Sequence, residues 1–281
     1  MKPTFIGIGA QKCASSWLYD ILADHPEALT SKTKELDFFT YHFDNGHAWY
    51  ERQLPTGVGA RAIGEISPSY FHDLSAPERI QDFAPDARIL VSLRDPVERA
   101  LSQHRHLVRI GVLTGPDFTF EGGLASNPTY VEQGLYATHL RRWRERFPAG
   151  QMLVVLMDDI QADAARVAAK VYSFLGIDSD HQSVALHEKS NPSYVVRNRF
   201  MEDSVKRLRK GVRRLGLQPL WQHLGNTGLR AIYRAYNRRP SQAVIPAPDS
   251  ETLASLRARF MPEIEALEEL LGRDLSSWKC P

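Results

Sequence analysis

Short apolar runs alternate with longer amphipathic stretches through the first two thirds of the chain. The runs TFIGIG (4–9), AIGEI (62–66), RILVSL (88–93) and MLVVLM (152–157) are brief and rich in Val, Ile and Leu. That pattern predicts strands buried on both faces rather than helices. Between them, apolar positions recur at helical spacing over 15–24, 76–83, 96–110, 132–147 and 160–175. Asp95-Pro96 supplies an N-cap and a first helical residue, and Gly111 and Gly176 are helix stops. Strands alternating with helices predict an α/β fold with a central parallel sheet flanked by helices. Ligands in such folds bind at the carboxyl ends of the strands.

After residue 190 the pattern changes. Residues 200–236 read as helical and basic, 240–249 as a Pro-rich connector, and 250–271 as a closing helix capped by Asp249 and ended by Gly272. We expect a single domain over 1–281. It has a core to about residue 196, a basic helical segment at 197–239 and a closing helix with tail at 249–281.

The 281 residues are 43% hydrophobic and 24% charged, which is globular and excludes a disordered or fibrous chain. The net charge of +2 hides an asymmetry, because residues 197–239 hold 12 Lys/Arg against 2 Asp/Glu. Val205, Leu208, Val212 and Leu215 recur at helical spacing there, with Lys206, Arg207, Arg209, Lys210, Arg213 and Arg214 between them. Such a face is either a solvated surface or an attractor for an anionic acceptor or an anionic membrane surface. Cys13 and Cys280, the two cysteines, form no framework and no metal pattern. With no leader and no apolar run of spanning length, the expectation is a soluble, cytoplasmic protein. Its Ala- and Arg-rich composition fits a bacterial source. No nucleic-acid partner is expected, and the oligomeric state is left open.

The chemistry gathers at strand ends. GIGAQKCASSWL (7–18) places small residues and Lys12 between the first strand and a helix, a ready anion site. It is not the nucleotide loop G-x-x-x-x-G-K-[ST], because Gln11 replaces the second Gly and Cys13 the Ser or Thr. The third strand ends in Arg94, where a magnesium-dependent kinase usually offers an Asp. A guanidinium forks onto phosphate but binds no metal. Ser102, two turns into the next helix, adds a hydroxyl. A nucleotide with phosphates at both ends of its ribose suits this pair of sites, with no metal.

These segments together resemble the sulfotransferases that use 3′-phosphoadenosine 5′-phosphosulfate (PAPS). QKCASSWL is similar to their 5′-phosphosulfate loop, and LRDPVERALSQH to their 3′-phosphate motif R-D-P-x-x-R-x-x-S. KELDFF (34–39), AWYERQLP (48–55) and GEISPSYF (64–71) resemble segments of the heparan sulfate sulfotransferase branch, and LEELLGRDLSSW (267–278) resembles the tail of many bacterial members. The resemblance covers nearly the whole chain.

It implies transfer of a sulfonyl group from PAPS to a hydroxyl on a glycan, lipid or secondary metabolite. PAP is released and no metal takes part. Lys12 then neutralises the leaving phosphate. Cys13, Ala14, Ser15 and Ser16 cradle the 5′-phosphate, Trp17 stacks on adenine, and Arg94 and Ser102 grip the 3′-phosphate. Glu65 is the implied base, Tyr194 and Arg197 close over the nucleotide, and Lys34, Glu35 and Phe39 bind the acceptor. The chain departs from the branch at Ala14-Ser15 for Gly-Thr, at Ile66 for Lys and at Asp37 for His. The last two bear on the acceptor rather than the donor.

Singly, each residue also has a plain reading: Lys12 a surface lysine, Arg94 an ion-pair partner, Glu65 a structural carboxylate, Trp17 a core residue. Cys13 reads as a small filler, and His25, His72, His104 and His106 as ordinary surface residues. A kinase on the same core and a non-catalytic anion-binding module are the rival readings.

Overall fold

The computed structural model describes residues 2–57, 59–187, 194–196, 204, 212, 238–240 and 244–280. Two compact units can be distinguished in it. The first comprises Met1–Ala100, Pro128–Ser190 and Ser250–Pro281, the second Leu101–Asn127 and Asn191–Asp249.

The first unit is built on a five-stranded parallel sheet. Its strands are β1 (Phe5–Gly9), β2 (Ala28–Thr30), β3 (Ala62–Ile66), β4 (Arg88–Leu93) and β5 (Met152–Leu156), in the order β2-β3-β1-β4-β5. Four strands match the apolar runs. β2 escaped because three residues, Ala-Leu-Thr, are too few to show a period. Every residue of the central β1 is buried. Helix α1 (Ser15–Ala23) turns Trp17, Leu18, Ile21 and Leu22 into the core. Helices α2 (His47–Gln53) and α3 (Ala76–Phe83) follow, and then α4 (Pro96–Ile110), which begins at the predicted Pro.

Two predicted helices prove to be pairs. The 132–147 stretch is α6 (Thr129–Glu132) and α7 (Tyr136–Arg144), parted at Gln133-Gly134, after α5 (Phe120–Ser126). The 160–175 stretch is α8 (Met157–Ala162) and α9 (Ala164–Leu175). Asp163 parts them and caps the second, accepting the Arg166 N–H at 3.0 Å. Gly176, in the left-handed region at φ 71°, ends α9 as predicted. The closing helix α10 (Ser250–Leu271) stops before Gly272, at φ 61°.

A final turn, α11 (Ser276–Lys279), brings the tail back to the sheet. Trp278 is buried, and its indole N–H donates to Asp158 at 2.5 Å. Arg273 forks onto Asp159 with two 2.9 Å bonds. Arg257 reaches Asp95 at 2.9 Å and also donates to the Trp278 carbonyl. Residues of the tail thus brace the turns that follow β4 and β5.

In the second unit, Val108, Leu113 and Ile245 form a small core with Leu107 and Phe118. Strands β6 (Tyr194–Val196) and β7 (Arg238–Pro240) pair antiparallel. Of the basic segment, Ser204 and Val212 are described as helical, and Arg238 and Arg239 lie on β7. Its six charged positions at 206–214 lie outside the described residues. Among the described residues no helix is long and apolar enough to cross a membrane.

Gly64 lets β3 approach β1. A Cβ there would meet the Phe5 carbonyl oxygen at 2.0 Å. Gly64→Ala is therefore expected to part the two strands and cost about 1–3 kcal/mol or more, read as a lowered urea midpoint with unchanged slope.

Candidate active site

β1 and β4 are paired neighbours, so the loops leaving them lie side by side. The Ala10 N–H donates to the Ser92 carbonyl at 2.8 Å, and the Ser92 hydroxyl donates to the Gly9 carbonyl at 3.2 Å. Gly9, at φ 138°, sits where a Cβ would meet the Pro68 carbonyl at 2.9 Å. The phosphate loop is thereby pressed between β4 and the segment after β3. Lys12 (φ 67°) and Ala14 (φ 69°) are both left-handed, which residues bearing a Cβ adopt rarely and which clusters at functional sites. Alternating left-handed residues turn successive N–H groups inward to form an anion-binding nest. Ala14 stands at the N-cap of α1 with no side-chain cap, and the first turn has no acidic residue. The positive end of α1 is thus left for an anion.

Beneath the loop, Cys13 is fully buried. Its thiol donates to the Gln11 carbonyl at 3.4 Å and meets the Tyr136 hydroxyl at 3.5 Å. Burial pushes the thiol pKa up, which suits packing rather than nucleophilic work. Arg94 lies at the end of β4 and pairs with Glu98 at 2.8 Å. Asp95 caps α4, accepting the N–H groups of Val97 and Glu98 at 2.8 and 2.9 Å. Arg99 is buried under the same turn and donates to Gln133 at 3.3 Å and to the Tyr130 carbonyl. Ser102 lies on α4 within the second unit.

Lys34 joins its own segment to the loop after β1. Its ammonium donates to the Ser15 hydroxyl at 3.4 Å and to the Glu35 carboxylate at 2.6 Å. Glu35 is the open carboxylate here, its side chain 51% exposed. It sits at φ 64° with its N–H on the Ile66 carbonyl at 3.1 Å.

Glu65 has the opposite setting, with no exposed surface. One oxygen accepts the Ser67 hydroxyl at 2.5 Å, the other the Tyr70 hydroxyl at 2.6 Å and, distantly, that of Tyr50 at 3.5 Å. Burial pushes its carboxyl up to about 7, against the pull of the Ser67 and Tyr70 donors. Burial likewise raises the Asp37 carboxyl, which accepts the Ser69 hydroxyl at 2.6 Å.

Several of the residues singled out in the sequence lie inward. Glu65, expected as the base, is walled in by hydroxyls and has no exposed surface. Phe39, expected to bind acceptor, is fully buried against Phe38, Tyr50 and Tyr70, because the ring is better removed from water. Trp17, expected to stack on a base, packs in the core of α1 and β1, its indole N–H without a partner. His25 and His104, read as surface residues, are buried. His25 accepts the Glu27 N–H at 3.1 Å and meets the Asp178 carbonyl at 2.8 Å. The structure brings Lys12, Ser15, Ser16, Lys34, Glu35 and Arg94 into the first unit. Tyr194 lies on β6 of the second, and Arg197 lies outside the described residues.

A family model for the sulfotransferase domain matches residues 2–212. The chain belongs to the sulfotransferase domain family. Over 181 residues, 62% of the chain, it is 33% identical to human heparan sulfate glucosamine 3-O-sulfotransferase 3B1, covering 46% of that protein. The human bifunctional heparan sulfate N-deacetylase/N-sulfotransferase 3 is 31% identical over 194 residues, of which 22% is covered. This sulfotransferase therefore spans about half the length, or less, of these curated relatives. The crystal structure of a sulfotransferase from Alicyclobacillus acidocaldarius aligns over 100% of both chains with a TM-score of 0.72 at 24% identity, which shows a shared fold.

A carboxyl raised by the fold favours its protonated form there. The stability that Glu65 contributes is present below pH 4.5 and lost as pH rises through about 7. Glu65→Gln is expected to remove that loss, flattening the stability–pH curve by up to about 1.4 kcal/mol per pH unit, as read by urea unfolding from pH 4 to 8.

Proposed function

We propose that this sulfotransferase moves the sulfonyl group of PAPS to an acceptor hydroxyl, releasing PAP. The observation that carries the reading is the pairing of two cationic strand ends. Lys12 follows β1 beside an uncapped helix terminus, and Arg94 follows the neighbouring β4. Two anion sites on adjacent strand ends fit a nucleotide phosphorylated at both ends of its ribose. The nest at 12–15, with Ser15 and Ser16, holds the 5′ side. Arg94 gives up Glu98 for the 3′-phosphate, with Ser102 as its second ligand by resemblance. Tyr194 and Arg197 keep their nucleotide-closing role only on the strength of the resemblance.

In the transfer itself the acceptor oxygen bonds to sulfur, the bond from sulfur to the phosphate oxygen breaks, and the acceptor proton passes to a carboxylate. We assign that carboxylate to Glu35. It is open to solvent, and one ammonium, Lys34, separates it from Ser15 of the donor loop. Lys12 and Lys34 offset the charge that develops on the leaving phosphate.

The acceptor side is acidic at Asp37 and apolar at Ile66, where the heparan branch is basic at both. The acceptor is therefore a hydroxyl-bearing glycan, lipid or secondary metabolite of low negative charge. The basic segment at 206–214 is retained within the same proposal as a contact for an anionic membrane surface. Both cysteines are free, which supports a reducing, cytoplasmic setting.

Calorimetric titration is expected to show PAP binding about 10–100-fold tighter than AMP, the worth of one charge-assisted contact of ~1.5–3 kcal/mol. Arg94→Ala should erase most of that preference. Equal affinity for PAP and AMP in the parent would remove PAPS as donor.

Glu35→Gln is expected to lower transfer from labelled PAPS by about 10²–10⁴-fold with PAP affinity within a few-fold. A Glu35→Gln enzyme that transfers at the parental rate removes Glu35 as the base.

A further inference from the structure

The loop that carries Glu35 is held in a conformation that its own residues disfavour. Glu35 at φ 64° and Asp37 at φ 49° are left-handed without being glycine. Such residues persist only where the surroundings fix them. Here the fixing groups are backbone N–H bonds to the segment around β3. Glu35 donates to the Ile66 carbonyl at 3.1 Å. Asp37 donates to the Ser67 hydroxyl at 2.9 Å, while Phe38 and Phe39 donate to the Tyr70 hydroxyl at 2.9 and 3.4 Å.

Each of those hydroxyls is a bridge with a fixed polarity. An N–H can only donate, so each hydroxyl oxygen spends a lone pair on the loop. Its hydrogen then goes to the acceptor in reach, Glu65. Ser67 serves Oε2 at 2.5 Å and Tyr70 serves Oε1 at 2.6 Å. Two relays therefore run from loop amide to hydroxyl to carboxylate, and both end on one buried anion.

We propose that Glu65 is a positioning residue, holding the Lys34–Phe39 loop, and with it Glu35, through the hydroxyls of Ser67 and Tyr70. The proposal rests on the reading of Glu35 as the base, but its geometry does not. It gives the buried carboxylate a function that its lack of exposure denies it as a direct base.

The relays need the anion. A proton on either oxygen turns that oxygen into a donor aimed at a hydroxyl already donating to it, so one relay breaks. The groups facing Glu65 are Tyr50 of α2, Ser67 and Tyr70 of the segment after β3, and Asp37 of the loop itself. Burial pushes the carboxyl up to about 7 whether or not the loop is held, so the fold as a whole gains from the proton while the loop itself is expected to be tight above neutrality and looser below.

Hydrogen exchange on the full chain tests this, read for the peptide spanning 35–40 and corrected for intrinsic exchange. In the parent, protection of that peptide should rise with pH through about 7. Glu65→Gln should abolish the rise and lower protection about tenfold or more at pH 8, with α1 and α9 unchanged. Tyr70→Phe and Ser67→Ala, each deleting one hydroxyl, should do the same in part. They carry the test if Glu65→Gln loses protection throughout the chain. Ser67→Thr should restore it.

Turnover is read as PAP release from PAPS with water as acceptor. It should fall about tenfold in Tyr70→Phe and Ser67→Ala, with PAP affinity within a few-fold, and lose its inflection near pH 7 in Glu65→Gln. Parental protection at 35–40 in both hydroxyl deletions overturns the proposal. Glu35→Gln should leave protection intact. If it also leaves turnover intact, the base assignment fails while the positioning role stands on the exchange data.

Discussion

The double pairing of β1 governs the rest of the structure. A strand with a parallel neighbour on each side has its carboxyl end fixed in register with two others. The phosphate loop after β1 therefore emerges between Glu65 at the end of β3 and Arg94 at the end of β4. Lys12, Glu65 and Arg94 are brought to one edge of the sheet because hydrogen-bonded strands stand about 4.8 Å apart. The loop's own sequence does not bring them together. Gly64 and Gly9 serve the same end, since each removes a side chain where two backbones must approach.

Around this sheet the charged groups sort by exposure. Three carboxylates that brace the turns after β4 and β5 are paired with arginine or indole partners. Asp95 takes Arg257, Asp159 takes Arg273, and Asp158 takes Trp278. Glu65 is satisfied by hydroxyls instead. A buried carboxylate with neutral donors keeps a high pKa, whereas one with a guanidinium does not. Glu65 and Asp159 show the two outcomes within one fold, the first pushed up by burial and the second held low by Arg273.

Much of this was legible in the chain itself. Apolar runs marked four of five strands, and Asp95-Pro96 and Gly176 marked helix ends, because those signals are local. The motifs marked Lys12, Ser15 and Arg94 for the same reason. What failed depended on orientation. Phe39 and Trp17 sit inside true motifs but turn inward, and nothing in a motif says which way a ring faces. The resemblance implied Glu65 as the base and Glu35 as an acceptor ligand, and only their surroundings, one buried and one open, speak for exchanging those roles. Ser67 and Tyr70 stood in view within GEISPSYF, two and five residues past Glu65. Their partners at Asp37 and Phe38 are about thirty residues away, so the relay left no local trace. Arg257, which meets Asp95 from the far end of the chain, had no signal at all.

The tail contacts carry a consequence for how the protein is made. Asp95 caps α4 with one oxygen and holds Arg257 with the other, while Arg257 also donates to the Trp278 carbonyl. A ribosome adding about 5–20 residues per second delivers Trp278 roughly 10–40 s after Asp95. For that interval the nascent sheet carries its cationic strand end without its final brace, beside a core face that α10 will later cover. Until Arg257 arrives, Asp95 holds the start of α4 by its capping oxygen alone.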